Sequence, residues 1–292
     1  LIAVEDFMKR SAIVVVASAA LCCATASQKP HSARDEQLYA LLRTDKKAFA
    51  QQVSKDASSE LGRTQAIVQW LTQHFDWKET DYQKRTVQEI IERRGGNCND
   101  LAMVAIDAMK ELGIEQRRVH DVHIRTPSPE RGERAHARVK QYGNTSSVFG
   151  SHHNDHIWIE VYDSSLGDWF PADPWSGVVG VEEWMKARVW FGKRSSLNPD
   201  AGDMIVPFGI FATDSSGHFT VNRTNHYLVD ELDRLYGGRL HGLPEWKAWT
   251  EGLDFLQDKV RGALAGEINL HEYESQIDSL AMTYERLRSA VQ

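Results

Sequence analysis

The segment "IIERRGGNCNDLAMVAIDAMKELGI", residues 90–114, decides the fold, and its reading turns on Cys98. Leu101, Val104, Ala105, Ala108, Met109 and Leu112 recur at helical spacing, which predicts an amphipathic helix beginning beside the cysteine. Asn97 suits the N-cap and Gly113 the C-terminal stop. The thiol therefore falls in the first turn of a helix, where outward N–H groups and the positive end of the dipole favour thiolate over thiol. A cysteine in a helix is also commonly a small buried hydrophobe, and position alone does not separate the two.

The cysteine inventory does. The chain has three cysteines, and Cys22 and Cys23 fall within "MKRSAIVVVASAALCCATA", residues 8–26. Lys9 and Arg10, a short apolar run from Ala12, and Ala24-Thr25-Ala26 together have the form of a cleavable secretory signal. The run is too short for a stable membrane span. Residues 1–7 read as upstream sequence ahead of a start at Met8. The expectation is an exported protein, periplasmic or extracellular. The alternative is a lipoprotein anchored through Cys22 or Cys23, against which the lack of a small residue before either cysteine speaks. Cleavage would leave Cys98 as the sole cysteine, unable to form an internal disulfide. A lone thiol in an oxidising compartment is a liability unless its chemistry is used.

A thiol nucleophile needs a base and a group that orients the base. Twelve histidines are available, so local structure must choose. "DHIWIEVYDSSLGDWFPADPW", residues 155–175, reads as a β-hairpin. Ile157, Ile159 and Val161 alternate with His156, Trp158, Glu160 and Tyr162, the period of a strand with one buried face. Ser164 to Gly167 supply the turn. If Asp163 pairs with Asp168, Trp158 falls opposite Asp173 and His156 lies diagonally from that aspartate on one face. A slip of one residue would separate them.

Taken together, the glycine-preceded Cys98, "LGIEQRRV", "HIWIEVY" and "WFPADP" resemble the transglutaminase-like superfamily, relatives of the papain-like thiol proteases, over roughly residues 60–178. The resemblance implies an α+β fold with an antiparallel sheet and the cysteine at a helix N-terminus. It also implies a triad with Cys98 as nucleophile, His156 as general base and acid, and Asp173 as the group orienting the imidazole. By the same analogy an upstream aromatic or amide donates to the oxyanion beside the Cys98 N–H. Trp70, Gln73 and Trp77 are the candidates, and Trp77, nearest the polar end, is preferred. Two features depart from the family pattern. Residues 125–154 form a long polar segment, read as a loop that could be a lid or part of a substrate groove. Trp175 stands where many relatives carry a small polar residue.

A zinc site among His120, His123, His152, His153, Asp155 and His156 has little support. The spacing contains no i, i+4 helical pair, and adjacent histidines on a strand point apart. No metal or cofactor is expected, with a regulatory ion left open. With 292 residues, 26% charged, and a formal net charge of −7, the chain lacks the basic balance of a nucleic-acid binder.

The organisation expected is a signal and upstream residues over 1–26, a helical cover over 27–60 with Leu38, Leu41, Leu42 and Phe49 as its stripe, and the core over 61–178. A strand pair and helical extension follow over 179–292, the helices from His226 onward packing on the core or docking a partner. The functional expectation is an exported peptidase or amidase acting on a peptide or protein amide through a thioester. The alternatives are a protein-glutamine transglutaminase and a non-catalytic module binding peptide or cell-wall material.

Overall fold

The structure is a computed structural model that describes residues 32–78, 83–143, 147–189, 206–236 and 238–291. The expected signal over 1–26 lies outside these residues, as do residues 27–31 of the expected cover.

Capping residues set where the first helices begin. Ser32 and Asp35 form a reciprocal box that opens α1 (Ala33–Thr44), Asp45 caps α2 (Lys46–Val53), and Ser59 caps α3 (Glu60–His74). Leu38, Tyr39, Leu42 and Phe49 are buried against α3 and the helices that follow, so the N-terminal cover is part of the core. The short strand β1 (Asp76–Trp77) pairs in parallel with β2 (Gly95–Gly96), with α4 (Val87–Arg93) between them, and α5 (Cys98–Lys110) follows at once.

The main sheet is built from β3 (Gln116–Ile124), β4 (His153–Asp163), β5 (Asp168–Asp173), β6 (Val178–Val179), β7 (Val206–Thr213) and β8 (Phe219–Asn222). Every pairing in it is antiparallel, in the order β6-β5-β4-β3-β7-β8. The remaining helices are α6 (Pro129–Tyr142), α7 (Val181–Arg188), α8 (Leu232–Tyr236), α9 (Pro244–Leu264) and α10 (Glu274–Val291). A π-helical turn spans His226–Glu231 and a 3-10 turn Leu270–Tyr273. This is an α+β architecture.

Three features differ from the sequence reading. The polar segment 125–154 is not an open loop over its described residues: Ser128 caps α6, Pro129 occupies its first turn, and Gly143 ends it at φ 62°. Those signals are in the sequence, but the helix has almost no apolar stripe, and polarity hid it. Next, β4 is buried on both faces rather than one. Ile159 and Val161 pack toward α1–α5, while Trp158 packs toward α7, α9 and α10. Finally, the strand pair beyond residue 178 is not an appendage, since β7 pairs with β3 and completes the sheet.

The second buried face explains why Glu160 is tolerated in a strand with no exposure. Its carboxylate accepts from Arg117 Nε at 2.7 Å, Arg223 Nε at 2.8 Å and the Tyr227 hydroxyl at 2.6 Å. A buried carboxylate survives only when charge and hydrogen-bonding capacity are both met, as here. Glu160→Ala should therefore lower the unfolding free energy by roughly 3 kcal/mol, because two guanidinium groups lose their counter-charge. Urea denaturation of the two proteins checks this, and a difference within ±0.5 kcal/mol would reduce the cluster to surface chemistry.

Candidate functional site

The cysteine's position follows from two glycines. A Cβ on Gly95 would meet the Asp76 carbonyl oxygen at 2.4 Å, and one on Gly96 would meet Asp100 Cβ at 2.3 Å. Only glycine lets β2 lie against β1 while α5 turns back over it. Asn97 then caps the helix. Its side chain accepts from the Asp100 N–H at 3.1 Å, and Asp100 Oδ2 accepts from the Asn97 N–H at 3.3 Å. Cys98 occupies the first helical position, half-buried, and its own N–H has no acceptor within the helix.

The hairpin carries the partners. Asp163 pairs with Asp168 and Ile159 with Ala172, the register on which the sequence reading depended. His156 Nε2 consequently meets Asp173 Oδ2 at 2.9 Å. The other oxygen, Oδ1, accepts from the Trp175 N–H at 3.0 Å. Asp173 is fully buried and His156 is 6% exposed. Burial opposes both charges, but each stabilises the other. Their attraction holds the imidazole well above its ordinary range and the carboxylate below its own, and negative charge on Cys98 adds to the rise at His156. With Nε2–H donated to Asp173, Nδ1 is the nitrogen left for other chemistry. His156 and Cys98 line one cleft of about 580 Å³.

Beneath this pair lies a network that sequence reasoning missed. Asp121 stands opposite His156 in the β3–β4 register and has no exposure. Its carboxylate accepts from Trp158 Nε1 at 2.9 Å, from Arg188 Nη2 at 3.3 Å, and from His123 Nδ1 at 3.1 Å. Burial would discharge Asp121, but Arg188 and the two histidines keep it ionised, below the usual carboxylate range. His123 behaves the opposite way: burial pushes it down to about 3, so its ring is neutral at physiological pH. No local motif signals this network, because Arg188 reaches Asp121 from 67 positions away.

Trp77, the preferred second oxyanion donor, is 52% exposed and lines the cleft. Its ring meets Trp175 edge-on at 5.9 Å, and Trp175 meets His156 edge-on at 5.6 Å. Trp70 is instead buried in the core, stacked on His74 at 4.6 Å, and Gln73 is exposed on α3 away from the cleft. Trp175 thus shields the imidazole from one side. Four of the histidines weighed as metal ligands pair with separate carboxylates: His120 with Asp155 at 2.9 Å, His152 with Asp278 at 2.7 Å, His123 with Asp121 and His156 with Asp173. Among the described residues no group of three or more His, Cys, Asp or Glu could hold a metal ion. No described helix is long and apolar enough to cross a membrane.

Comparison with known proteins adds the following. Residues 47–174 match the family described as the transglutaminase-like superfamily, which agrees with the resemblance read from the sequence. No curated protein matches the chain. Among solved structures, similarity is found to a crystal structure of Rad4-Rad23 bound to a 6-4 photoproduct UV lesion. The TM-score is 0.35 at 11% identity, over 88% of this chain and 54% of that one. The present chain thus spans about half the length of that protein, and a likeness at that level carries no argument about function.

Two outcomes follow from the geometry. His156 should remain protonated well above pH 6.5, because its folded-state pKa is raised; the stability it contributes is present below its unfolded pKa and fades only as pH climbs through the raised value. In Asp173→Asn the ring should instead titrate near or below 6.5. The imidazole carbon-proton shifts in NMR report both, and a wild-type ring titrating at 6.5 would remove the ion pair. Gly96→Ala should cost about 1–3 kcal/mol and slow alkylation of Cys98, since Asp100 must give way and the cap with it. An unchanged melting temperature and an unchanged alkylation rate would show that the close approach is not needed.

Proposed function

We propose that the transglutaminase-like segment over residues 47–174 works as a thiol acyl-transfer enzyme that attacks an amide carbonyl, most simply an exported peptidase or amidase. The observation that carries this reading is the buried His156–Asp173 pair at 2.9 Å, opening onto the same cleft as a cysteine at a helix N-terminus. In the scheme, the Cys98 sulfur attacks the carbonyl carbon and the amide oxygen becomes an oxyanion. The first-turn N–H of Cys98 is its first donor and the Trp77 indole its second. Protonated His156 then gives its proton to the leaving amine as the C–N bond breaks, and a thioester remains on Cys98. Water, deprotonated by His156, attacks the thioester, releasing the acid and restoring the thiol. Asp173 keeps the ring in the required tautomer throughout.

Hydrolysis is preferred over amine transfer for a reason in the cleft itself. Among the described residues that line it, Lys and Arg outnumber carboxylates, so a protonated amine approaching the thioester is repelled while water is not. The same thiol chemistry would be idle in a module that merely bound peptide, and reactivity distinguishes the two.

Cys98 should be alkylated by iodoacetamide rapidly at pH 6. His156→Ala should slow that reaction roughly 10²-fold, because an unassisted thiol is then almost entirely protonated. A Cys98 that reacts like a free thiol in both proteins would return the chain to the non-catalytic reading. Mass spectrometry of glutamine-containing peptides, with and without a labelled amine, should show deamidated or cleaved product without amine incorporation.

A further inference from the structure

The cleft is charged against the grain of the chain. Overall the sequence carries a formal −7, yet among the described residues that line the cleft eight are Lys or Arg and one, Asp155, is a carboxylate. That carboxylate is already engaged by His120 at 2.9 Å and the Val148 N–H at 3.2 Å. One wall is helix α6, whose Arg131, Arg134 and Arg138 fall at i, i+3 and i+7 and so share the face turned to the cleft. The opposite side has Arg118 on β3, which bonds Asn99 Oδ1 at 3.4 Å.

Surface arginines usually form a solvated face, but Arg134, though exposed, stands on the cleft-lining face of α6, and Arg118 is not at the surface. Arg118 is half-buried, its basicity is lowered by burial, and it has no carboxylate partner among the described residues. A desolvated guanidinium without a counter-charge is costly unless a ligand supplies one.

Building on the thiol acyl-transfer reading, we propose that this cleft selects acyl donors bearing a carboxylate near the scissile amide, that is, an acidic peptide, with Arg118 and Arg134 recognising the anion. A volume of about 580 Å³ suits a short segment rather than a polymer. The chain's formal net charge of −7 would repel a long polyanion such as nucleic acid.

The test compares two alkylating agents on the full chain, anionic iodoacetate and neutral iodoacetamide, each referenced to N-acetylcysteine. The iodoacetate-to-iodoacetamide rate ratio at Cys98 should exceed the reference by about tenfold at low ionic strength and shrink as salt is added. It should fall toward the reference in Arg134→Gln, a substitution at an exposed position that spares folding, and in Arg118→Gln. A tri-glutamate peptide should also protect Cys98 from iodoacetamide where a tri-lysine peptide does not. A reactive Cys98 with a ratio equal to the reference, or a ratio unmoved in both variants, overturns the anion preference and leaves the acyl-transfer reading standing. Protection by a short single-stranded oligonucleotide but not by tri-glutamate overturns the assignment to peptide. A Cys98 inert to iodoacetamide itself overturns the acyl-transfer reading instead.

Discussion

A protonated imidazole at 6% exposure has to be balanced from inside the protein, and the strand order is what balances it. His156 lies on β4, between Asp173 on β5 and Asp121 on β3, the latter being its partner in register. Only one of those carboxylates, Asp173, hydrogen-bonds the ring. The other is taken up by Arg188 and by the Trp158 indole. Three charged groups on adjacent strands thus alternate in sign, with a guanidinium from α7 completing the set. Removing any one strands the others in a low-dielectric interior, where an unpaired charge costs far more than a paired one returns.

This arrangement ties the site to the packing on the far side of the sheet. Trp158 bonds Asp121 and also packs on Trp184 at 4.8 Å and on Tyr227 at 5.4 Å. Tyr227 in turn bonds Glu160, whose two arginines lie on β3 and after β8. The aromatic cluster therefore fixes the strand positions from which the charged row is presented. Helix α5 approaches from the other face, its first turn set by the contact between Gly96 and Asp100. Cysteine and histidine are thus delivered by different elements, the first turn of α5 and strand β4, onto one cleft.

Charge is also distributed by role. The pair that would do proton transfer is buried and internally neutral, whereas the cleft in front of it is cationic. The two kinds of electrostatics are separable: at His156 the attraction of Asp173 at 2.9 Å outweighs the opposing charge of Arg188, while an incoming ligand feels all the cations.

Much of this was legible from sequence because it is local. The cap, the helical period after Cys98, the strand alternation and the turn at Ser164–Gly167 each depend on neighbours a few residues apart, and together they fixed the hairpin register and hence the meeting of His156 with Asp173. The start and stop of α6 were equally local, in Ser128, Pro129 and Gly143, but a helix without an apolar stripe gives no periodic signal of what it packs against. The second buried face of β4, the joining of β7 to β3, the Asp121–Arg188 pairing and the gathering of cations around the thiol were decided only in three dimensions. Their partners are dozens of residues apart, and a charged side chain in a sequence reads as solvent-facing until the fold shows what lies opposite it.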